Sequence, residues 1–134
     1  EIKIEFNLQK YAQRTGELLI FPASYWKVFL ENPFVEETRE NPICISYGRT
    51  ETDSIYVALP VGYTIDRIPD PISIAEPFGE FELSFKAVDS RKILITRYCH
   101  LNGDEISGSQ NGNIRDFIAR MLEKEAENVV LTRL

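Results

Sequence analysis

Apolar side chains recur at every second position through much of this sequence, and only an extended strand turns that spacing to one face. Phe81, Leu83 and Phe85 alternate with Glu82 and Ser84, as a strand with one wet side requires. Ile2, Ile4, Phe6 and Leu8 alternate with Lys3, Glu5 and Asn7 and read as a half-buried strand. Further strands are expected over Glu17–Phe21, Ile43–Tyr47, Ser54–Leu59 and Lys92–Tyr98. Ile55-Tyr56-Val57-Ala58-Leu59 is apolar on both faces and reads as a central, doubly covered strand. The segment from Pro22 through Asn41 reads as a long irregular connection.

The period changes once. Ile114, Phe117, Ile118, Met121, Leu122 and Glu125 follow the 3, 4, 7, 8 spacing of an amphipathic helix. Asn111 or Asn113 is the expected cap, Asp116 falls in the expected first turn, and Glu123, Lys124 and Glu127 take the exposed side. Val129-Val130-Leu131-Thr132 then reads as a short strand returning to the sheet. The fold class is mainly β: an antiparallel, immunoglobulin-like β-sandwich with one C-terminal amphipathic helix followed by a short strand. Residues 1–134 suit a single domain, since the chain has no repeat, low-complexity tract or interdomain linker.

Between two expected strands runs LPVGYTIDRIPDPISIAEPFGEFELSF, residues 59–85. Leu59-Pro60 ends one strand, because proline cannot donate to the ladder, and Val61-Gly62-Tyr63 makes a turn. Tyr63, Ile65 and Ile68 begin the next extended segment, Pro69, Pro71 and Pro77 keep the chain extended, and Phe78-Gly79 turns it into the strand at Phe81. The whole reads as a corner between two sheet edges.

Several chemistries are disfavoured. A net charge of -6 with acids and bases interleaved lacks the clustered Lys and Arg that nucleic acid requires. No apolar run approaches the roughly 20 residues of a membrane span. Cys99 and His100, the one histidine, are neighbours on an expected strand, so their side chains diverge rather than form a nucleophile and base. Cys44 points away from the core and Cys99 shares a face with Ile93 and Ile95, which disfavours a disulfide between them. Two Cys and one His fall short of a zinc shell, and Asn102-Gly103-Asp104-Glu105 with Asn111 and Asn113 resembles a calcium loop in composition alone. Glu36-Glu37 and Glu76 offer no facing carboxylate pair, and Gly103, Gly108 and Gly112 are spaced too loosely for a phosphate loop. The expectation is a chain without catalytic residues, cofactor or metal.

Tyr25, Trp26 and Phe29 in the long connection leave two alternatives. They plug the core or a contact with another domain, or they form a stacking platform for glycan or peptide.

The residues of the proline-rich corner also carry a resemblance. In order, Arg39, Pro42, Leu59, Pro60, Gly62, Tyr63, Pro69, Pro71, Pro77 and Gly79, with the terminal NVVLTRL, match a pattern of Arg, Pro, a strand, LP-x-GY, P-x-P, P-x-G and a last apolar strand. Over residues 36–134 the chain resembles the C-terminal domain of unknown function that follows the core in transglutaminase-like proteins of Bacteroides-type bacteria. It departs from that pattern at Ser107-Gly108-Ser109-Gln110-Asn111, where a Pro and a Tyr are common. The resemblance implies a periplasmic or cell-surface location and an upstream domain of the same polypeptide as partner. It places the Cys, His and Asp of the transglutaminase-like fold in that upstream domain, so none is carried over here. The matched residues are turn formers, which implies a noncatalytic accessory role. The chain starts at Glu1 without an initiator Met or signal-peptide regions, and the expectation is a processed chain or an excised C-terminal piece.

Overall fold

A computed structural model describes residues 1–45 and 47–134. β1 (Gln13–Thr15) turns at Gly16, whose φ of 61° suits glycine, into β2 (Leu18–Pro22). The long connection leads to β3 (Ile43–Cys44), followed by β4 (Arg49–Ala58), β5 (Tyr63–Arg67), β6 (Ile72–Glu76), β7 (Gly79–Asp89), β8 (Lys92–Leu101) and β9 (Glu105–Ile106). A 3-10 turn at Gly108–Gln110 enters α1 (Asn111–Ala126), and β10 (Asn128–Arg133) follows.

Among the described residues, two four-stranded antiparallel sheets form, ordered β1-β2-β10-β5 and β4-β8-β7-β6, with β3 and β9 as a small separate pair. Their inner faces and α1 share one core in a sandwich-like arrangement. Phe21, Val129 and Leu131 come from the first sheet, Phe81, Leu83 and Ile93 from the second, and Ile114, Phe117, Ile118 and Met121 from the helix. The Phe117 ring meets Phe78 edge-on, with centroids 5.4 Å apart. The mainly β class, the helix and the returning last strand all stand as the periodicity predicts.

The proline-rich corner joins an edge of each sheet. β5 lies at the edge of the first and β6 at the edge of the second, so Ile68-Pro69-Asp70-Pro71 carries the chain across. Pro77-Phe78 then closes a two-residue hairpin between β6 and β7. A Cβ on Gly79 would lie 2.5 Å from the His100 carbonyl oxygen, so the close approach of β7 to β8 at this end needs glycine.

Three expectations are corrected. Residues 2–8 are not a strand: the segment pairs with no edge of either sheet, and Ile2 is 88% exposed with Ile4, Phe6 and Leu8 also exposed. The strand read as central is the edge strand β4; Ile55 and Val57 face inward, but Tyr56 lies exposed on the outer side, so its apolar character is not a sign of double cover. The helix has no side-chain cap. Gln110 takes the cap position, Asn111 is buried with its Nδ2 donating to the Glu36 carbonyl, and Asp116 lies beyond the first turn. Of the strand expected over Ile43–Tyr47, Ile43 and Cys44 pair with Ile106 and Glu105, while Ser46 lies outside the described residues.

Removing the Phe117 ring takes out both its burial and its contact with Phe78. Phe117→Ala should therefore cost about 3 kcal/mol, against under about 1.5 kcal/mol for Leu122→Ala on the half-buried flank, as read from urea midpoints.

Candidate functional site

The long connection between β2 and β3 is irregular but anchored along its length. Ala23 N–H donates to the Glu127 carbonyl (2.7 Å), Asn32 Nδ2 to the Arg115 carbonyl (2.9 Å), and Arg115 Nη1 to the Glu36 carbonyl (3.2 Å). Ala23, Ser24 and Val28 are buried and Phe34 packs against the core. The loop thus follows α1, with the Asn32 side chain bonded to the helix backbone and the Glu36 carbonyl accepting from Asn111 and Arg115 of the helix.

At Trp26 the main chain is held from two sides. Ser24 Oγ donates to the Trp26 carbonyl (2.6 Å), as does Arg97 Nη1. Arg97 is 4% exposed, and its guanidinium also donates to Asp53 Oδ2 on β4 and to Glu125 Oε1 on α1 (3.1 Å), with Glu51 Oε2 at 3.6 Å. Glu125 is 0% exposed. Burial pushes its carboxyl above the ordinary carboxylate value, and the Arg97 guanidinium opposes that rise. One cation therefore joins an edge strand, a middle strand, the helix and the aromatic loop.

The three aromatics separate. Tyr25 and Trp26 face outward, Trp26 at 60% exposure, while Phe29 is half-buried against the core. Phe6 reaches Tyr25 with ring centroids 5.3 Å apart, and Tyr11 lies 5.9 Å from the same ring. The unpaired segment and the loop thus meet at Tyr25, and Ile2, Ile4, Leu30 and Val35 are exposed on the same two segments. Burial of the single tryptophan in this domain's own core is corrected: the tie at Trp26 runs through its carbonyl and leaves the ring outside.

Cys99 and His100 point to opposite faces of β8. Cys99 is buried among inward residues, and burial pushes its thiol up to about 11, with the Glu51 carboxylate adding to the rise and Arg97 and Arg49 opposing it. His100 faces out, its Nε2 against Asn102 Oδ1 (2.9 Å) and its Nδ1 against Thr50 Oγ1 (2.8 Å). Asn102 Nδ2 donates to the Pro77 carbonyl, which leaves Oδ1 to accept from the imidazole. Cys44 is exposed on β3, paired with Glu105 of β9. The oxygen-rich loop is likewise dispersed: the Asp104 carbonyl accepts from Ile45 N–H, Glu105 belongs to β9, and Asn111 faces Glu36. Among the described residues, no group of three or more His, Cys, Asp or Glu side chains is placed to hold a metal ion. No helix among them is long and apolar enough to cross a membrane.

Sequence reasoning missed Arg97, although the signal is present. Arg97 sits in phase with Ile93, Ile95, Cys99 and Leu101, and Glu125 on the apolar helix face, so one charge of each sign points inward.

Three outcomes follow. Arg97→Met leaves Glu125 buried without its cation and should cost about 3–5 kcal/mol, whereas Glu125→Gln keeps an acceptor for Arg97 and should cost about 1 kcal/mol. The folded state holds the Glu125 proton to higher pH than the unfolded chain, so this group's contribution is full below the ordinary carboxylate value and is lost as pH rises through the raised one. Urea midpoints across that range should show the loss in the unsubstituted chain and not in Glu125→Gln. With an aromatic disulfide reagent, the native chain should expose one fast thiol, Cys44, with Cys99 reacting only after unfolding; two fast thiols would contradict the burial of Cys99.

One family model matches the chain, over residues 17–131, and its description reads "Domain of Unknown Function with solved-structure structure (DUF3858)". No curated protein and no solved structure matches.

Proposed function

The chain belongs to the DUF3858 family, and from that premise we propose that it is a noncatalytic accessory domain that packs against an upstream domain of its own polypeptide. The observation carrying this reading is the surface made by Ile2, Ile4, Phe6, Tyr25 and Trp26. These side chains lie exposed on two adjoining segments, and the first keeps the alternation of a strand that has found no sheet. A domain covering them would bury apolar area at about 25 cal/mol per Å². The divergence of Cys99 from His100 and the raised thiol favour a role without turnover in this chain. The resemblance over residues 36–134 supplies the kind of parent: a transglutaminase-like, exported protein of the Bacteroides type, with this domain in the periplasm or on the cell surface.

A second reading rests on a separate observation. The Trp26 main chain is clamped by Ser24 and Arg97 while Tyr25 and Trp26 face outward, an arrangement suited to stacking on glycan or peptide with little ordering cost. Phe29, half-buried, contributes to such a platform from below rather than as a face of it.

The pair Ile4→Asp and Phe6→Asp separates the two. In the isolated chain both side chains are exposed, and the double variant should leave the melting temperature within about 2 °C. In the full-length parent it should lower the melting temperature by several degrees and open the segment to limited proteolysis, with turnover per folded molecule within a few fold. An unchanged parent would overturn the packing role. Quenching of Trp26 fluorescence by a glycan or peptide in that unchanged parent would put the platform in its place.

A further inference from the structure

The second sheet carries, on the face turned away from the core, a trough whose floor and walls follow from strand register. Ser54, Thr96 and Ser84 are direct partners across β4, β8 and β7 and form one rung of short hydroxyl side chains, ending at Pro71 before β6. The next rung on the same face is Thr52, Tyr98, Glu82 and Ser73. The rung on the other side is Tyr56, Leu94 and Lys86, with Tyr56 exposed. Rungs on one face are separated by about 6.8 Å and strands by about 4.8 Å, so Tyr98 stands beside a floor one short side chain high, and Tyr56 lies one rung beyond that floor, outside the lining. The trough is open and has a volume of about 550 Å³, within the roughly 300–1,000 Å³ usual for ligand clefts.

Its chemistry excludes some ligands and favours one class. The guanidinium of Arg97, whose backbone borders the trough, lies on the opposite face with Asp53 and Glu125, so it offers no charge to a phosphate, sulfate or carboxylate here. Of the acidic residues in its lining, Asp53 has its carboxylate taken by Arg97, and Glu82 has Ser73 Oγ at 3.5 Å; Lys86 lies on the next rung, outside the lining. Hydroxyl side chains both donate and accept, which suits a partner whose own groups do the same. Ser84 and Thr96 already hydrogen-bond to each other across the floor, leaving their remaining lone pairs toward the trough. The Tyr98 ring in the lining offers an apolar face beside a polar tip.

We propose that this trough binds a neutral, polyhydroxylated chain: an oligosaccharide lying across the strands, its hydroxyls on Ser54, Thr96, Ser84 and Glu82 and a ring face against Tyr98. The site is separate from the Tyr25–Trp26 surface and does not rest on the accessory reading. A chain already docked to a neighbour through that surface keeps this face of its second sheet for ligand.

Affinity electrophoresis of the 134-residue chain in native gels tests it, with laminarin, galactomannan or xylan as neutral probes, heparin as anionic probe and carboxymethylated casein as unstructured polypeptide. The expected result is retardation by at least one neutral polysaccharide and not by heparin or casein. Tyr98→Ala should weaken it about tenfold. Ser84→Gln, an exposed position where a longer side chain fills the floor, should weaken it comparably without changing the melting temperature, which covers the case that Tyr98→Ala unfolds. Trp26→Ala should leave it unchanged. Failure of all three neutral probes overturns the proposal, as does retardation by heparin or casein in their place. Binding that survives Ser84→Gln and is lost in Trp26→Ala would move glycan recognition to the aromatic loop.

Discussion

A cation carried into the interior on a middle strand must be neutralised there, and much of this fold is arranged around how Arg97 is met. Taking a guanidinium out of water costs several kcal/mol, and its recovery demands partners at fixed positions. Those partners come from β4, α1 and the main chain of the aromatic loop. The same burial by apolar side chains alone would tolerate a helix shifted by part of a turn or a loop rerouted. Glu125 removes that freedom, because a shifted α1 would leave a carboxylate in the core without its counter-charge. We regard the cluster as a device for alignment more than for net stability, with the helix, the edge strand and the loop all referred to one side chain.

That alignment shapes both faces of the second sheet. Inside, Arg97 draws the charged residues of β4 toward the core, so Asp53 and Glu51 occupy inward positions that would otherwise call for apolar residues. Outside, the same strands carry short hydroxyl side chains beside two tyrosines. The strand β4 therefore combines acids inward and tyrosine outward, the reverse of the usual assignment for a half-buried strand.

This inversion explains where the sequence was legible and where it was not. Phe81, Leu83 and Phe85 obey simple alternation, and their strand and its inward face were readable directly. The helix was readable from its 3.6 period, down to the placing of Glu125 on its apolar side. Its start was not, because Asn111 is spent on the Glu36 carbonyl of a loop distant in sequence rather than on capping. β4 was misplaced because Tyr56 counts as apolar in a pattern but stands exposed. β6 was hidden by its flanking prolines, which suit an edge strand as well as a loop. Residues 2–8 show the limit most plainly: alternation reports what a segment can pair with, and the partner is a matter of what else is present. In the aromatic loop, the sequence named Tyr25 and Trp26 but could not show that a distant arginine holds the Trp26 carbonyl.

The position of β10 has a consequence for how the molecule is made. β10 lies between β2 and β5, pairing Leu18 with Thr132 and Tyr63 with Arg133. As the nascent chain leaves the ribosome, β2 and β5 emerge early but share no ladder until residues 128–133 arrive to join them. The first sheet therefore assembles last, from pairings of high contact order whose loop-closure entropy delays them. The hairpins β6–β7 and β7–β8 are local and free to form meanwhile. During synthesis the unpaired edges of β2 and β5 are open to wrong partners, so a chaperone that shields them would act in the interval before the last strand emerges.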